Sequence, residues 1–348
     1  MKLISVSYTT AAACIKEAFR TGSVPYLKGS PGSGKSKMLQ AIASQYKLKL
    51  IDLRLAMLEP TDLMGLPSII PETGKFTYLP YSTFPLEDTP IPDGYVGWLL
   101  LLDEINQAER PVIKASYKLV LDRMVGDYKL HKNCFIALAG NLDTDRALTE
   151  EMGTAMQSRI SPHLELRVDY KQWLDWANAN KIDYRITSFI DFRPDLLHNF
   201  DPDHEDCTYA CPRTWENVHK YIIMQDLEGP KLKDIHLPLL AGTIGSGAAL
   251  EFVTYTKLFS ELPKFGEIMA NPTGVDFGDS PDCVYALTGL LAQNANPENI
   301  EKVLEFVTRL DGEFQALTIR AIRQRNPELT NAPEISEWIR VNADLMIA

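Results

Sequence analysis

Apolar positions follow two rhythms in the first half of the chain and only one in the second. From Tyr8 to Arg20 an Ala-rich apolar set (Ala11, Ala12, Ala13, Ile15, Ala18, Phe19) predicts a helix. Val24 to Leu27 is then a short apolar run, and Lys37 to Gln45 returns to helical spacing. Lys47 to Arg54 alternates polar and apolar residues, which predicts a strand. Trp98 to Leu102 and Cys134 to Ala139 are unbroken apolar runs. Such runs suit strands buried on both faces, as a parallel sheet requires. Pro111 to Leu121 is amphipathic, Arg123 to Leu130 predicts a tight hairpin around Gly126 and Asp127, Leu148 to Arg159 is helical, and His163 to Val168 predicts a last strand. This alternation of strand and helix predicts an α/β unit with a parallel, doubly wound sheet over residues 1–168.

After Asp169 the strand rhythm stops. Helical periodicity covers Tyr170 to Asn180, Thr214 to Gln225, Leu237 to Phe259, Cys283 to Gln293, Asn299 to Leu310, Gly312 to Gln324 and Pro333 to Met346. Asn199 to Cys211 is acidic and irregular, a solvated loop. One long stretch within the first half also escapes the sheet pattern. Pro71, Glu72, Thr73 and Gly74 are turn formers between two short β-prone runs, which predicts a hairpin inserted at about residues 58–82. A connection this long inside a compact core is usually functional.

Composition narrows the classes. The 348 residues are 45% apolar and 23% charged, ordinary for a globular protein with a substantial core. The net charge of −11, without a Lys/Arg run, argues against nucleic acid as the partner. Five scattered cysteines (Cys14, Cys134, Cys207, Cys211, Cys283) fit a reducing compartment better than a disulfide framework. The N-terminus lacks a signal-peptide apolar core, and the apolar runs are too short to span a bilayer, so a cytoplasmic protein is expected.

Chemistry enters at the end of the first apolar run. Gly29, Ser30, Pro31, Gly32, Ser33, Gly34, Lys35 and Ser36 have the spacing of a P-loop, between a strand and a helix that continues through Met38. Bare backbone lets successive N–H groups turn inward on phosphate oxygens, and the helix N-terminus adds partial positive charge. Lys35 would reach the β/γ-phosphates, and the Ser36 hydroxyl would ligate Mg²⁺. A second anchor is Asp103-Glu104, at the carboxyl end of the leucine strand, where open α/β sheets place ligands. Asp103 would hold Mg²⁺ opposite Ser36, and Glu104 would polarise the attacking water. A rival site is zinc at His204, Cys207 and Cys211, with Cys283 as a fourth ligand, although that spacing departs from the usual structural patterns.

With both anchors placed, residues 8 to 225 resemble the AAA+ ATPases, and within them the MoxR/dynein-related branch. The stretch Leu53 to Gly65 looks like that branch's Asp-Leu-Met-Gly insert, followed by its hairpin at Ile69 to Tyr78. Asp103-Glu-Ile-Asn-Gln-Ala resembles its Walker B phrase, and Arg123 to Leu130 its pre-sensor hairpin. The resemblance implies a five-stranded P-loop core (1–168) and a helical lid (169–230), and the helical periodicity beyond them predicts a helical C-terminal extension (231–348). The resemblance also implies roles. Asn141 looks like sensor 1, a polar group that orients the lytic water, the alternative being a cap on the following helix. Arg159 stands where the family has an arginine finger supplied to a neighbouring subunit. Arg213 resembles sensor 2, and Arg146 is a second candidate for a contact in trans. Ile160 replaces the Phe usual after the finger, and the helical residues beyond Arg213 have no counterpart.

ATP and Mg²⁺ are the implied cofactors. The implied activity is ATP hydrolysis by a homo-oligomeric ring, a hexamer by resemblance, that remodels a protein partner such as one carrying a von Willebrand A domain. Two other readings are a nucleic-acid-directed NTPase motor of McrB type and a nucleotide-gated scaffold. The acidic charge argues against the first, and intact Glu104 and Asn141 against the second.

Overall fold

The computed structural model describes residues 4–145, 152–203, 206–224, 232, 234–278 and 280–347. They form two compact units, Met1–Val168 and Asp169–Ala348. In chain order the first unit contains β1 (Ser5–Val6), α1 (Tyr8–Arg20), β2 (Tyr26–Lys28), α2 (Lys35–Gln45), β3 (Leu48–Arg54), α3 (Pro60–Met64), β4 (Leu66–Ile69), β5 (Phe76–Leu79), β6 (Gly97–Asp103), α4 (Arg110–Tyr117), β7 (Met124–Val125), β8 (Tyr128–Lys129), β9 (Cys134–Gly140), α5 (Thr154–Gln157) and β10 (His163–Leu166).

Six strands make one parallel sheet in the order β1-β10-β2-β9-β6-β3. The five strands expected from sequence are joined at one edge by β1, whose Ser5 and Val6 pair with Glu165 and Leu166. Two residues are too short a run to carry a hydrophobic rhythm.

The leucine run is buried on both faces, as its lack of polar breaks predicts. Leu99 and Leu101 pack with Ala11, Ile15 and Phe19 of α1 and Met38, Leu39 and Ile42 of α2. Leu100 and Leu102 point the other way, into a cluster with Leu55, Ile105, Val112 and Ile113. Truncating one such leucine to Ala costs roughly 2–5 kcal/mol. This two-sided packing fixes the sheet, and with it the height of the loops above its carboxyl edge. The fold is of the α/β P-loop class.

Helix α4 is shorter than the expected 111–121 element. Its α-helical part ends at Tyr117 and a π-helical turn continues over Lys118–Asp122, ending where Arg123 adopts φ 56°. Of the helix expected over Leu148 to Arg159, the first residues lie outside the described ones, and the described part is helical only over Thr154–Gln157. Both expected hairpins are present: β4 pairs antiparallel with β5, and β7 with β8.

The second unit contains only helices among its described residues: α6 (Tyr170–Ala179), α7 (Tyr184–Phe192), α8 (Pro212–Met224), α9 (Leu237–Ile244), α10 (Ser246–Leu258), α11 (Phe265–Ala270), α12 (Pro281–Asn294), α13 (Ile300–Val307), α14 (Gly312–Arg325), α15 (Pro333–Val341) and α16 (Ala343–Ile347), with short 3₁₀ turns between them. Trp215, Phe189 and Phe252 pack together at its centre. Several features differ from the sequence reading: α11 was not expected, and the helix expected over Pro333 to Met346 is divided at Asn342 into α15 and α16. The helix expected over Leu237 to Phe259 is broken at Gly245, whose φ of 85° is a conformation that glycine adopts without strain. Helix α7 was not anticipated; polar Arg185, Thr187 and Ser188 are buried together with Ile186, Phe189 and Ile190, so polar positions in its sequence do not mark a solvent face. The boundary at 230 between lid and extension falls outside the described residues.

Candidate functional site

The P-loop leaves β2 beside the end of β9: Gly29 N–H donates to Gly140 O at 3.2 Å. Gly32 and Gly34 both have positive φ, 77° and 92°. The second of these turns the chain into α2, so that the loop's backbone sits at the N-terminus of a helix. Gly29 is confined for another reason: a Cβ there would lie 3.0 Å from Ser33 Oγ and 3.2 Å from Leu166 O. The Ser33 hydroxyl itself is buried without a hydrogen-bond partner. Met38 is placed differently from the rest of the set. Its side chain is 0% exposed in the core beneath the loop, and its N–H is taken by Gly34 O, so it supports the loop from below.

Lys35 is 8% exposed, and its ammonium crosses the loop. It donates to Gly29 O at 2.6 Å, Ser30 O at 3.1 Å and Asn141 Oδ1 at 3.1 Å. Ser36 Oγ donates to Asp103 Oδ2 at 2.6 Å. The other oxygen, Asp103 Oδ1, accepts from Glu104 N–H at 2.9 Å. Glu104 adopts φ 58°, the left-handed region that is uncommon outside glycine, at the point where β6 ends. Its carboxylate has no hydrogen-bond or ion-pair partner among the described residues. The loops that follow β2, β6 and β9 therefore converge at one carboxyl edge of the sheet.

A residue that sequence reasoning did not single out ties two of these loops together. Buried Asn106 donates from Nδ2 to Asn141 O at 2.9 Å and accepts at Oδ1 from Asn141 N–H at 3.1 Å. Gly140 must be bare for this clamp, since a Cβ there would lie 2.5 Å from Asn106 Oδ1 and 2.5 Å from the Tyr26 hydroxyl. The available signal was a polar residue immediately after Asp-Glu-Ile, where the chain is still buried. Asp145, also unanticipated, accepts from Ser30 Oγ at 3.3 Å and from Leu142 N–H at 3.2 Å. Lys28 pairs with Asp143 at 3.0 Å on the same edge. Beneath them the Tyr26 phenol is pushed above its ordinary range by burial, and further by Asp143.

Arg159 is exposed just beyond α5, and its guanidinium has no partner among the described residues. Arg213 is exposed in the first turn of α8, in the second unit. Arg146 lies outside the described residues. Of the zinc candidates, His204 also lies outside them, and the described residues hold no group of three or more His, Cys, Asp or Glu able to bind a metal ion.

The β4–β5 hairpin is apolar and open to solvent. Phe76 is 74% exposed and Ile69, its antiparallel partner, 57%. The base is closely fitted: a Cβ on Gly65 would lie 2.5 Å from Leu79 O, and one on Gly126 of the β7–β8 turn 3.0 Å from Tyr78 Cβ. No described helix is long and apolar enough to cross a membrane.

No family model matches the chain, and a search of curated proteins finds no match. Among solved structures, a RuvB variant of Thermotoga maritima is similar over 71% of this chain and 67% of its own, at 15% identity and TM-score 0.37. NtrX of Brucella abortus in complex with ADP is similar over 99% of this chain and 70% of its own, at 13% identity and TM-score 0.37. These likenesses are slight, and the reading of the site rests on its own residues.

Proposed function

We propose that the chain is a Mg²⁺-dependent ATP hydrolase that works as a homo-oligomeric ring and remodels a protein partner. The observation that carries the hydrolase reading is the convergence of Lys35, Ser36, Asp103, Glu104 and Asn141 at one edge of the sheet. The donor set fits the cofactors. The orphaned Ser33 hydroxyl and the inward backbone at a helix N-terminus suit phosphate oxygens. Touching hydroxyl and carboxylate oxygens of Ser36 and Asp103 suit a hard cation such as Mg²⁺. Bound there, Mg²⁺ would offset negative charge on the β/γ-phosphates.

Each side chain then has its task. Lys35 exchanges its carbonyl partners for phosphate oxygens. Glu104, with a free carboxylate, holds a water and accepts its proton. Asn141, held by Asn106, orients that water through its amide. Arg159, exposed and without a partner among the described residues, is available to a neighbouring copy, and Arg213 is assigned to nucleotide sensing by resemblance alone. The exposed hairpin supports the remodelling role, because an apolar tip on a loop is costly unless something docks there. The experiment is phosphate release from ATP with and without Mg²⁺. Release by wild type that depends on Mg²⁺ and is lost in Lys35→Ala supports the assignment; release unchanged by Lys35→Ala refutes it.

A further inference from the structure

The helical unit contains a cavity of about 240 Å³, lined by Lys181, Asp183, Tyr184, His219, Gln293 and Arg325 among others. Its charge does not balance. Arg325, at the end of α14, is 5% exposed, and no carboxylate of the described residues lies within ion-pair distance of it. Its guanidinium donates only to neutral acceptors: Ile182 O at 2.7 Å, Asn178 Oδ1 at 3.3 Å and Gln293 Oε1 at 2.6 Å. Three of its five N–H groups are thereby used, leaving two. The one carboxylate in the lining, Asp183, is already committed. It takes Arg185 in a fork, Nε to Oδ1 and Nη2 to Oδ2, both at 2.9 Å. Within the lining the cationic groups are therefore Arg325 and, at the rim, Lys181, while its one carboxylate is taken up by Arg185 from outside it.

The remaining polar groups also present donors. His219 Nδ1 accepts from Asp183 N–H at 3.0 Å, so the neutral ring carries its proton on Nε2. Gln293 spends its oxygen on Arg325, which leaves its amide hydrogens for the cavity. Burial pushes both the Arg325 guanidinium and the His219 imidazole below their ordinary ranges, with the Asp183 charge opposing the shift in each.

We propose that this cavity binds a small oxyanion-bearing ligand, a carboxylate or phosphate group, with Arg325 as the central contact and Lys181 and His219 as further donors. A planar guanidinium with two free N–H groups matches either oxyanion. The volume admits a small metabolite but falls below that of sites for larger ligands. An ordered anion would also tie α14 to α6, to the turn between α6 and α7 and to α12, because Arg325 of α14 bonds Asn178, Ile182 and Gln293.

The test uses the full chain carrying Lys35→Ala, which removes the P-loop cation as a competing phosphate site. Inorganic phosphate and succinate are titrated separately by calorimetry, and His219 is followed by NMR. Saturable binding of either probe below about 10 mM, with the His219 resonance shifting in step, is expected. Lys181→Gln, at an exposed position that leaves the core intact, should weaken it at least threefold. Arg325→Gln should abolish it in protein whose circular dichroism is unchanged. Binding of phosphate alone assigns a phosphoryl ligand and binding of succinate alone a carboxylate. No binding of either probe, or binding unaltered by Lys181→Gln, overturns the proposal.

Discussion

Asn106 and Asn141 exchange two hydrogen bonds, side chain to backbone, and Asn141 then accepts from Lys35 at its own side-chain oxygen. The buried amide of Asn106 thereby fixes where the proposed water-orienting group stands relative to the P-loop cation. Asn106 is a positioning residue. Asn106→Ala leaves the Asn141 N–H without its acceptor, at a cost of about 1–3 kcal/mol. The expected result is a fall in kcat of tenfold or more with KM for ATP changed little. Equal loss in Asn106→Asp, which keeps an acceptor for Asn141 N–H, would point to the donor half of the clamp.

Arg159 is exposed and has no partner among the described residues. Arg159→Ala should lower turnover by about a hundredfold or more while the isolated subunit keeps its ATP affinity. Mixing Arg159→Ala with Lys35→Ala subunits should restore part of the activity. Absence of complementation in well-mixed rings would make the arginine a group acting in cis or a structural one.

The β4–β5 hairpin should matter for work and little for chemistry. Replacing Pro71 to Gly74 together with Phe76→Ala should leave ATP hydrolysis within about threefold, under roughly 0.7 kcal/mol on the barrier. Partner-stimulated turnover should vanish. If light scattering shows the variant falling apart into monomers, the hairpin instead holds subunits together.

Asp191 gives the stability a pH dependence of its own. Burial, assisted by Glu313 and opposed by Arg320 and Lys171, pushes its carboxyl up to about 6. The folded state therefore holds this proton more tightly than the unfolded chain, whose aspartates titrate near 3.9. The resulting stability is fully present below the unfolded value and is lost as pH rises through about 6. Asp191→Asn should thus stabilise relative to wild type by about 1 kcal/mol at pH 8 and hardly at pH 4. Urea midpoints at the two pH values check this, and a difference independent of pH would contradict it.

The sequence made the sheet legible because its central strands are buried on both faces, and unbroken Leu or Ala-Leu runs such as Leu99–Leu102 have few other readings. The P-loop was legible because its chemistry demands bare backbone at fixed spacing. Asn106 was not, since its role depends on the approach of β9, a contact between residues far apart in sequence. Helix α7 was missed for a different reason: polar Arg185, Thr187 and Ser188 are buried beside its apolar residues, so polar positions in its sequence do not mark a solvent face. The charge imbalance around Arg325 was equally hidden, because it arises only when α6, α7, α12 and α14 pack together.

The most direct test of the hydrolase assignment is single-turnover cleavage of ATP by wild type and Glu104→Gln, with nucleotide binding measured on the same preparations. The amide cannot accept the water's proton, whereas Lys35, Ser36 and Asp103 are untouched. The account predicts that Glu104→Gln binds ATP as wild type does and cleaves it at least a hundredfold more slowly. Equal cleavage rates in the two proteins would contradict it.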